Sequence, residues 1–219
     1  VAAPKNEALS TSWLRAARRL GLTAGMHLLD RHLIFVREHV GMFKLTDAFD
    51  LLDPENGQPV GIAQEKISGW MKFMRMLVNK KMLPTRVEVA AAGEGQPPML
   101  VLQRGFTFLR ACVEVFDGSG VKLGTLRAKL FTIGGGFDVL SAEGQPFATV
   151  KGDWKGWNFK LLDLNGGEMG TVTKKWGGLG RELFTSADNY VIEVKESGAA
   201  NALLIAAALA IDIVFKEKN

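Results

Sequence analysis

The sequence predicts a mainly β domain, a barrel or a sandwich, built around one helix that is apolar on nearly all sides. Three observations carry this. About twelve short runs, apolar or alternating in polarity, follow one another from residue 30 onward, separated by turn residues. Four of the turns share one pattern: DPENGQPVGIA (53–63), DGSGVKLGTLR (117–127), SAEGQPFATV (141–150) and DLNGGEMGTV (163–172). Lastly, the stretch AANALLIAAALAIDIVFK (199–216) is apolar on nearly all sides, as a helix is when it is buried all round or sits in a membrane.

Taken in order, residues 12–20 (SWLRAARRL) fit a short amphipathic helix. Trp13, Ala17 and Leu20 fall on one face, with Arg15, Arg18 and Arg19 on the other. Strand runs are expected at 32–39, 43–52, 59–65, 85–91, 99–103, 109–116, 123–131, 137–141, 146–151, 157–162, 169–174 and 189–195. In each shared turn, a glycine supplies positive φ and a small residue opens the next strand. One strand–turn–strand unit reused in this way predicts a meander, with strands paired in sequence order.

Residues 69–83 (GWMKFMRMLVNKKML) interrupt the strands with a second helix. Trp70, Phe73, Met74, Leu77 and Val78 form its apolar arc, opposed by Lys72, Arg75, Asn79 and Lys80. Such a helix either packs on the domain with its basic face in water, or lies on an anionic membrane or a partner. The helix at 199–216 follows Gly198 and has Lys216 at its end, where the helix dipole favours a cation. Seven alanines let neighbours approach it closely. Asn201 and Asp212 share nearly one stripe, and a helix threaded through a barrel fits this pattern. Asp212 is then expected to find a partner inside the protein, because a buried lone carboxylate is very costly.

The chain has 219 residues, 47% hydrophobic and 23% charged, which excludes a disordered or collagen-like polymer. Glycine is abundant at 25 residues against 7 prolines, consistent with many tight turns. Cys112 is the single cysteine and cannot form an internal disulfide, which points to a reducing compartment. The chain opens at Val1 rather than Met, and no apolar core follows a basic start, so a secretory leader is not expected. The longest apolar run, 202–211, is short of the roughly 20 residues a membrane-spanning helix needs.

Formal net charge is +4, but it is concentrated. Residues 66–86 hold Lys66, Lys72, Arg75, Lys80, Lys81 and Arg86 and no acid, and residues 8–29 hold three arginines and no acid. The remainder is net acidic, unlike a surface that wraps nucleic acid.

No GxSxG elbow, HExxH or P-loop is present, and the three histidines (His27, His32, His39) have no cysteine near them. His32 and His39 would face opposite sides of a strand. The glycine runs at 134–136 and 176–180 lack the strand–loop–helix setting of a phosphate site and read as turns. DLNGGE (163–168) lacks the closing bidentate acid of a calcium loop and reads as a hairpin. The chain is therefore expected not to be an enzyme.

The stretch GTVTKKWGGLGRELFTSADNYVIEV (170–194) and the helix LLIAAALAIDIVF (203–215) resemble the phospholipid scramblase family, within the Tubby C-terminal-like superfamily. LLDRHLIFVREHVGMFKLTDAFDLLDPENGQPVGIAQEK (28–66) is similar to that family's opening strands. The resemblance implies a closed antiparallel barrel of about twelve strands around a central C-terminal helix. It divides the chain into a basic N-terminal helix or extension, 1–27, and a barrel domain, 28–219. It also implies a peripheral membrane protein on the cytoplasmic side that binds phospholipid or moves it between leaflets, in a manner proposed to depend on calcium.

On that reading Lys72, Arg75, Lys80 and Lys81 are the lipid-binding candidates, and Asp188, Asn189 and Glu193 the candidate Ca2+ ligands. An anionic phospholipid membrane is the expected partner, with no nucleic acid. Two features depart from the family. Its cysteine cluster is absent, and its Asp-Ala-Asp acidic opening reads here Ser186-Ala187-Asp188. The alternative is a soluble barrel that binds a small apolar ligand or a protein and meets no bilayer.

Overall fold

A computed structural model describes residues 26–38, 48–77, 83–106, 110–129, 135–153, 156–174, 189–195 and 199–215. The helix expected at 12–20 lies outside them.

The first element is a single helical turn, α1 (Met26–Leu29). Then come β1 (Leu33–Glu38), β2 (Ala48–Leu52) and β3 (Pro59–Glu65), followed by helix α2 (Gly69–Leu77). Nine further strands follow: β4 (Thr85–Ala91), β5 (Pro98–Arg104), β6 (Cys112–Asp117), β7 (Lys122–Ala128), β8 (Gly136–Ser141), β9 (Pro146–Asp153), β10 (Asn158–Leu162), β11 (Glu168–Thr173) and β12 (Tyr190–Val194). Helix α3 (Ala199–Phe215) closes the order.

Each strand pairs antiparallel with its neighbours in sequence, and β1 pairs with β12, so the sheet closes into a twelve-stranded barrel. The closing register sets Leu33 against Glu193 and Val36 against Tyr190. Closure removes both free sheet edges. This is the architecture expected from the residues and from the resemblance.

The shared turn pattern has one geometry. Gly57, Gly120, Gly144 and Gly166 all take positive φ, between 71° and 87°. In three of the turns the opening aspartate accepts the backbone N–H two residues on: Asp53 from Glu55, Asp117 from Ser119 and Asp163 from Asn165, at 2.8–2.9 Å. A register shift follows beside each turn, at Leu51/Leu52, Val115/Phe116, Val139/Leu140 and Leu161/Leu162. Such bulges add local twist, which curls the sheet toward closure.

Inward alternation supplies the wall of the core: Ile34 and Val36, Phe49 and Leu51, Val113 and Val115, Phe137 and Val139, then Tyr190, Ile192 and Val194. From Asn201 to Val214 every residue of α3 is buried, so the helix occupies the barrel interior. Small residues make the fit. Ala206, Ala207, Ala208 and Ala210 are fully enclosed. Gly124 of β7 has no room for a side chain, because a Cβ there would stand 3.0 Å from Leu203 Cδ1 and against the Leu140 carbonyl oxygen.

Several element ends differ from the sequence expectation. The helix expected through residue 83 is not helical at Leu83, which is buried directly before Pro84. A proline disfavours helical backbone in the residue preceding it. Residues 78–82 lie outside the described set. Strand β6 begins at Cys112 rather than 109, and β7 ends at Ala128 rather than 131. Arg110 Nε donates to the Ala128 carbonyl, and the Ala128 N–H donates to the Ala111 carbonyl at 2.9 Å, which ties this corner together outside the ladder. Trp157, with φ of 46°, belongs to the turn before β10.

Candidate functional site

Alternating connections give the barrel two unlike ends. The hairpins after β2, β4, β6, β8 and β10 all lie at one end, where β1 starts and β12 finishes. Here α1 abuts the mouth, with Leu28 buried. Asn201, in the first turn of α3, donates from Nδ2 to the carbonyls of Leu29 and Arg31, at 2.5 and 3.1 Å. Arg31 in turn pairs with Asp53 at 2.7 Å. The Asp53 carboxyl is held below its usual 3.8, first by the Glu55 N–H and also by the Arg31 guanidinium.

The other end receives the C-terminus of α3 and is chemically richer. Arg104, last residue of β5, is buried and turned inward. Its Nη1 donates to the Ile213 carbonyl and its Nη2 to Thr85 Oγ1, each at 3.0 Å. A guanidinium thus satisfies an end carbonyl of the central helix where the helix dipole favours a cation. Glu65, Thr85, Asn189 and Asp212 are buried at this end as well. Asp212 has an interaction partner within the protein, as the sequence required. Tyr190 is enclosed here and stacks on Trp157 at 5.2 Å between ring centroids, with Lys174 Nζ 4.5 Å from the Trp157 ring. Burial, and then the charge of Asp212, push the Tyr190 phenol well above its usual 10.0, so it stays neutral.

On the outside of this same end sits α2. Its arc Trp70, Phe73 and Leu77 faces solvent, at 66%, 55% and 69% exposure. The packed alternative therefore does not hold for these three side chains. Phe106, just beyond β5, is 68% exposed at the same end. A surface groove lies between α2 and the strand ends, lined by Lys66, Ser68, Met71, Arg86 and Gly105 among others.

Of the four lipid-binding candidates, Lys72 and Arg75 are positions of α2, while Lys80 and Lys81 lie outside the described residues. Of the candidate calcium ligands, Asp188 lies outside them too. Asn189 is buried ahead of β12. Glu193 is exposed on the outer face of β12, with Thr171 Oγ1 donating to it at 3.4 Å. Asn189 and Glu193 stand four residues apart along the chain, and the third candidate lies outside the described residues. Among the described residues no group of three His, Cys, Asp or Glu could hold a metal. No helix among them is long and apolar enough to cross a membrane.

Sequence reading missed Arg104 and Glu65 as buried charges. The signal was present: Arg104 continues the inward parity of Leu100 and Leu102, and Glu65 that of Ala63. Phe106 was missed because it stands alone in a loop, with no periodicity to mark it.

No curated protein and no solved structure matches the chain. The model of one family, Scramblase, matches residues 38–218. That match covers most of the chain, from the last residue of β1 through the central helix. With the closed barrel and its threaded helix in place, it establishes that the chain belongs to the scramblase family.

Proposed function

We propose that this chain is a peripheral phospholipid-binding barrel that works at an anionic, cytoplasmic membrane face, where it supports movement of phospholipid between leaflets. Family membership supports the phospholipid, and one observation carries the mode of contact. The segment from Lys66 to Arg86 holds six bases and no acid, and it includes α2 on the outside of one barrel end. Each Lys or Arg close to an anionic leaflet contributes about 1 kcal/mol. Lys72, Arg75, Lys80 and Lys81 are the proposed set, worth a few kcal/mol together and weakened by salt. The alternative of a small apolar ligand finds the barrel interior already occupied by α3.

The test is flotation with vesicles of phosphatidylcholine, with and without phosphatidylserine. Binding is expected only with the anionic lipid and declines as salt rises. Reversing the charge of those four residues abolishes it while the unfolding midpoint stays put. Wild-type binding by the reversed variant would remove the basic segment from the mechanism. A dithionite-quench assay on labelled lipid then reads leaflet exchange directly.

A further inference from the structure

We propose that α2 and the Phe106 corner form one membrane-inserting surface, which seats the barrel end-on with the C-terminal end of α3 toward the bilayer. This rests on the lipid reading above and adds the contact that charge alone does not provide. Trp70, Phe73 and Leu77 lie at i, i+3 and i+7 of one helix, so they share a face, and all three are more than half exposed. The Trp70 and Phe73 ring centroids are 6.4 Å apart. Phe106 comes from a different part of the chain yet is exposed at the same barrel end, and the groove lined by Met71 and Gly105 joins the two segments. Two independent segments thus expose large apolar side chains at one barrel end.

The chemistry selects a lipid surface as the occupant. An aromatic face within a wholly basic segment matches the apolar boundary and anionic headgroups of a leaflet. Trp is enriched at that interface. A nine-residue helix cannot span a bilayer but can lie in its surface. A second copy of the chain fits less well, because a two-fold contact would set the acid-free segment against itself. The barrel end that bears α2 and Phe106 is also the end where Arg104 holds Ile213, so insertion fixes the direction of the central helix relative to the membrane.

The experiment uses phosphatidylserine-containing vesicles with bromine on the acyl chains, and follows tryptophan fluorescence in the whole chain and in Trp70→Phe. Quenching is expected in the wild type, with most of it lost in Trp70→Phe. The variant Phe73→Ser/Phe106→Ser should bind these vesicles roughly tenfold or more weakly, since each side chain loses its apolar burial. Its unfolding midpoint is expected to be unchanged, because both residues are exposed. Vesicle binding without quenching overturns insertion and leaves electrostatic lipid binding standing. Absence of vesicle binding overturns both readings. A concentration-dependent dimer, seen by light scattering and lost in Phe73→Ser/Phe106→Ser, assigns the surface to a second copy and overturns the proposal.

Discussion

The guanidinium of Arg104 and the carbonyl of Ile213 meet at 3.0 Å across 109 residues of chain, joining the last residue of a wall strand to the end of the helix inside. Arg104→Ala leaves that carbonyl and the Thr85 hydroxyl without their donor in a buried place. Charge-assisted hydrogen bonds are worth about 1.5–3 kcal/mol each, so a loss of roughly 3 kcal/mol or more is expected in urea unfolding. Arg104→Lys keeps the charge but not the fork that reaches two acceptors, and should fall between. A neutral Arg104→Ala would show that the bond does not hold the helix end.

Asn201 does the corresponding work at the opposite end, with one amide nitrogen serving the Leu29 and Arg31 carbonyls. Asn201→Ala is expected to cost about 1–3 kcal/mol, the penalty for buried groups left unmet. Asn201→Asp should cost more, because a carboxylate cannot donate and would face two carbonyl oxygens. Amide exchange read at Leu28 and Leu29 would rise in both variants.

Packing between wall and helix gives a third prediction. A methyl group at Gly124 would press on Leu203 and on the Leu140 carbonyl, which is backbone and cannot turn aside. Gly124→Ala, and separately Ala207→Leu, should each destabilise by roughly 1–3 kcal/mol through overpacking. An unchanged denaturation midpoint in both would mean that the helix has room to shift.

Glu168 opens β11 and takes Lys195 on one oxygen, at 2.8 Å, and Lys160 of β10 on the other, at 2.9 Å. These two cations, Lys195 first, lower its pKa from 4.5 to about 2. A depressed carboxyl stabilises the fold above its unfolded pKa, and that contribution is lost as pH falls through the folded one. Glu168→Gln should therefore lower stability modestly at pH 7, less so in high salt because the group is exposed. The gap to wild type closes between pH 4.5 and 2. A gap that is constant across this range would place the effect of the substitution elsewhere.

Much of the barrel was legible because its turns repeat one chemical device. A glycine at positive φ and a small residue opening the next strand mark these turns before any contact is known, and the structure adds the N–H accepted by Asp53, Asp117 and Asp163. The central helix was legible because apolar residues on every side need burial in protein or lipid and the run is too short to span a bilayer, and Asn201 to Val214 are indeed buried. Amphipathicity, by contrast, marks an apolar face on the 69–83 helix without naming its medium. Whether Trp70 and Phe73 meet protein or solvent depends on how the connection between β3 and β4 is held off the wall, a non-local property. Arg104 escaped notice for a related reason. A charge at the end of MLVLQR looks like a strand terminus in water until its parity is traced inward.

The seam between β1 and β12 ties the opening strand of the sheet to its closing one. Phe35 lies against Val191 there, while α3, which fills the interior, follows β12 in the chain. During synthesis, eleven successive strand pairings could form before that seam, but none would yet have a core to lie on. The growing sheet would keep open edges and an uncovered apolar face until residues beyond 199 left the ribosome tunnel. A nearly finished sheet therefore stays open to other chains until α3 is available to fill it. A stalled chain ending before α3 is expected to aggregate rather than wait.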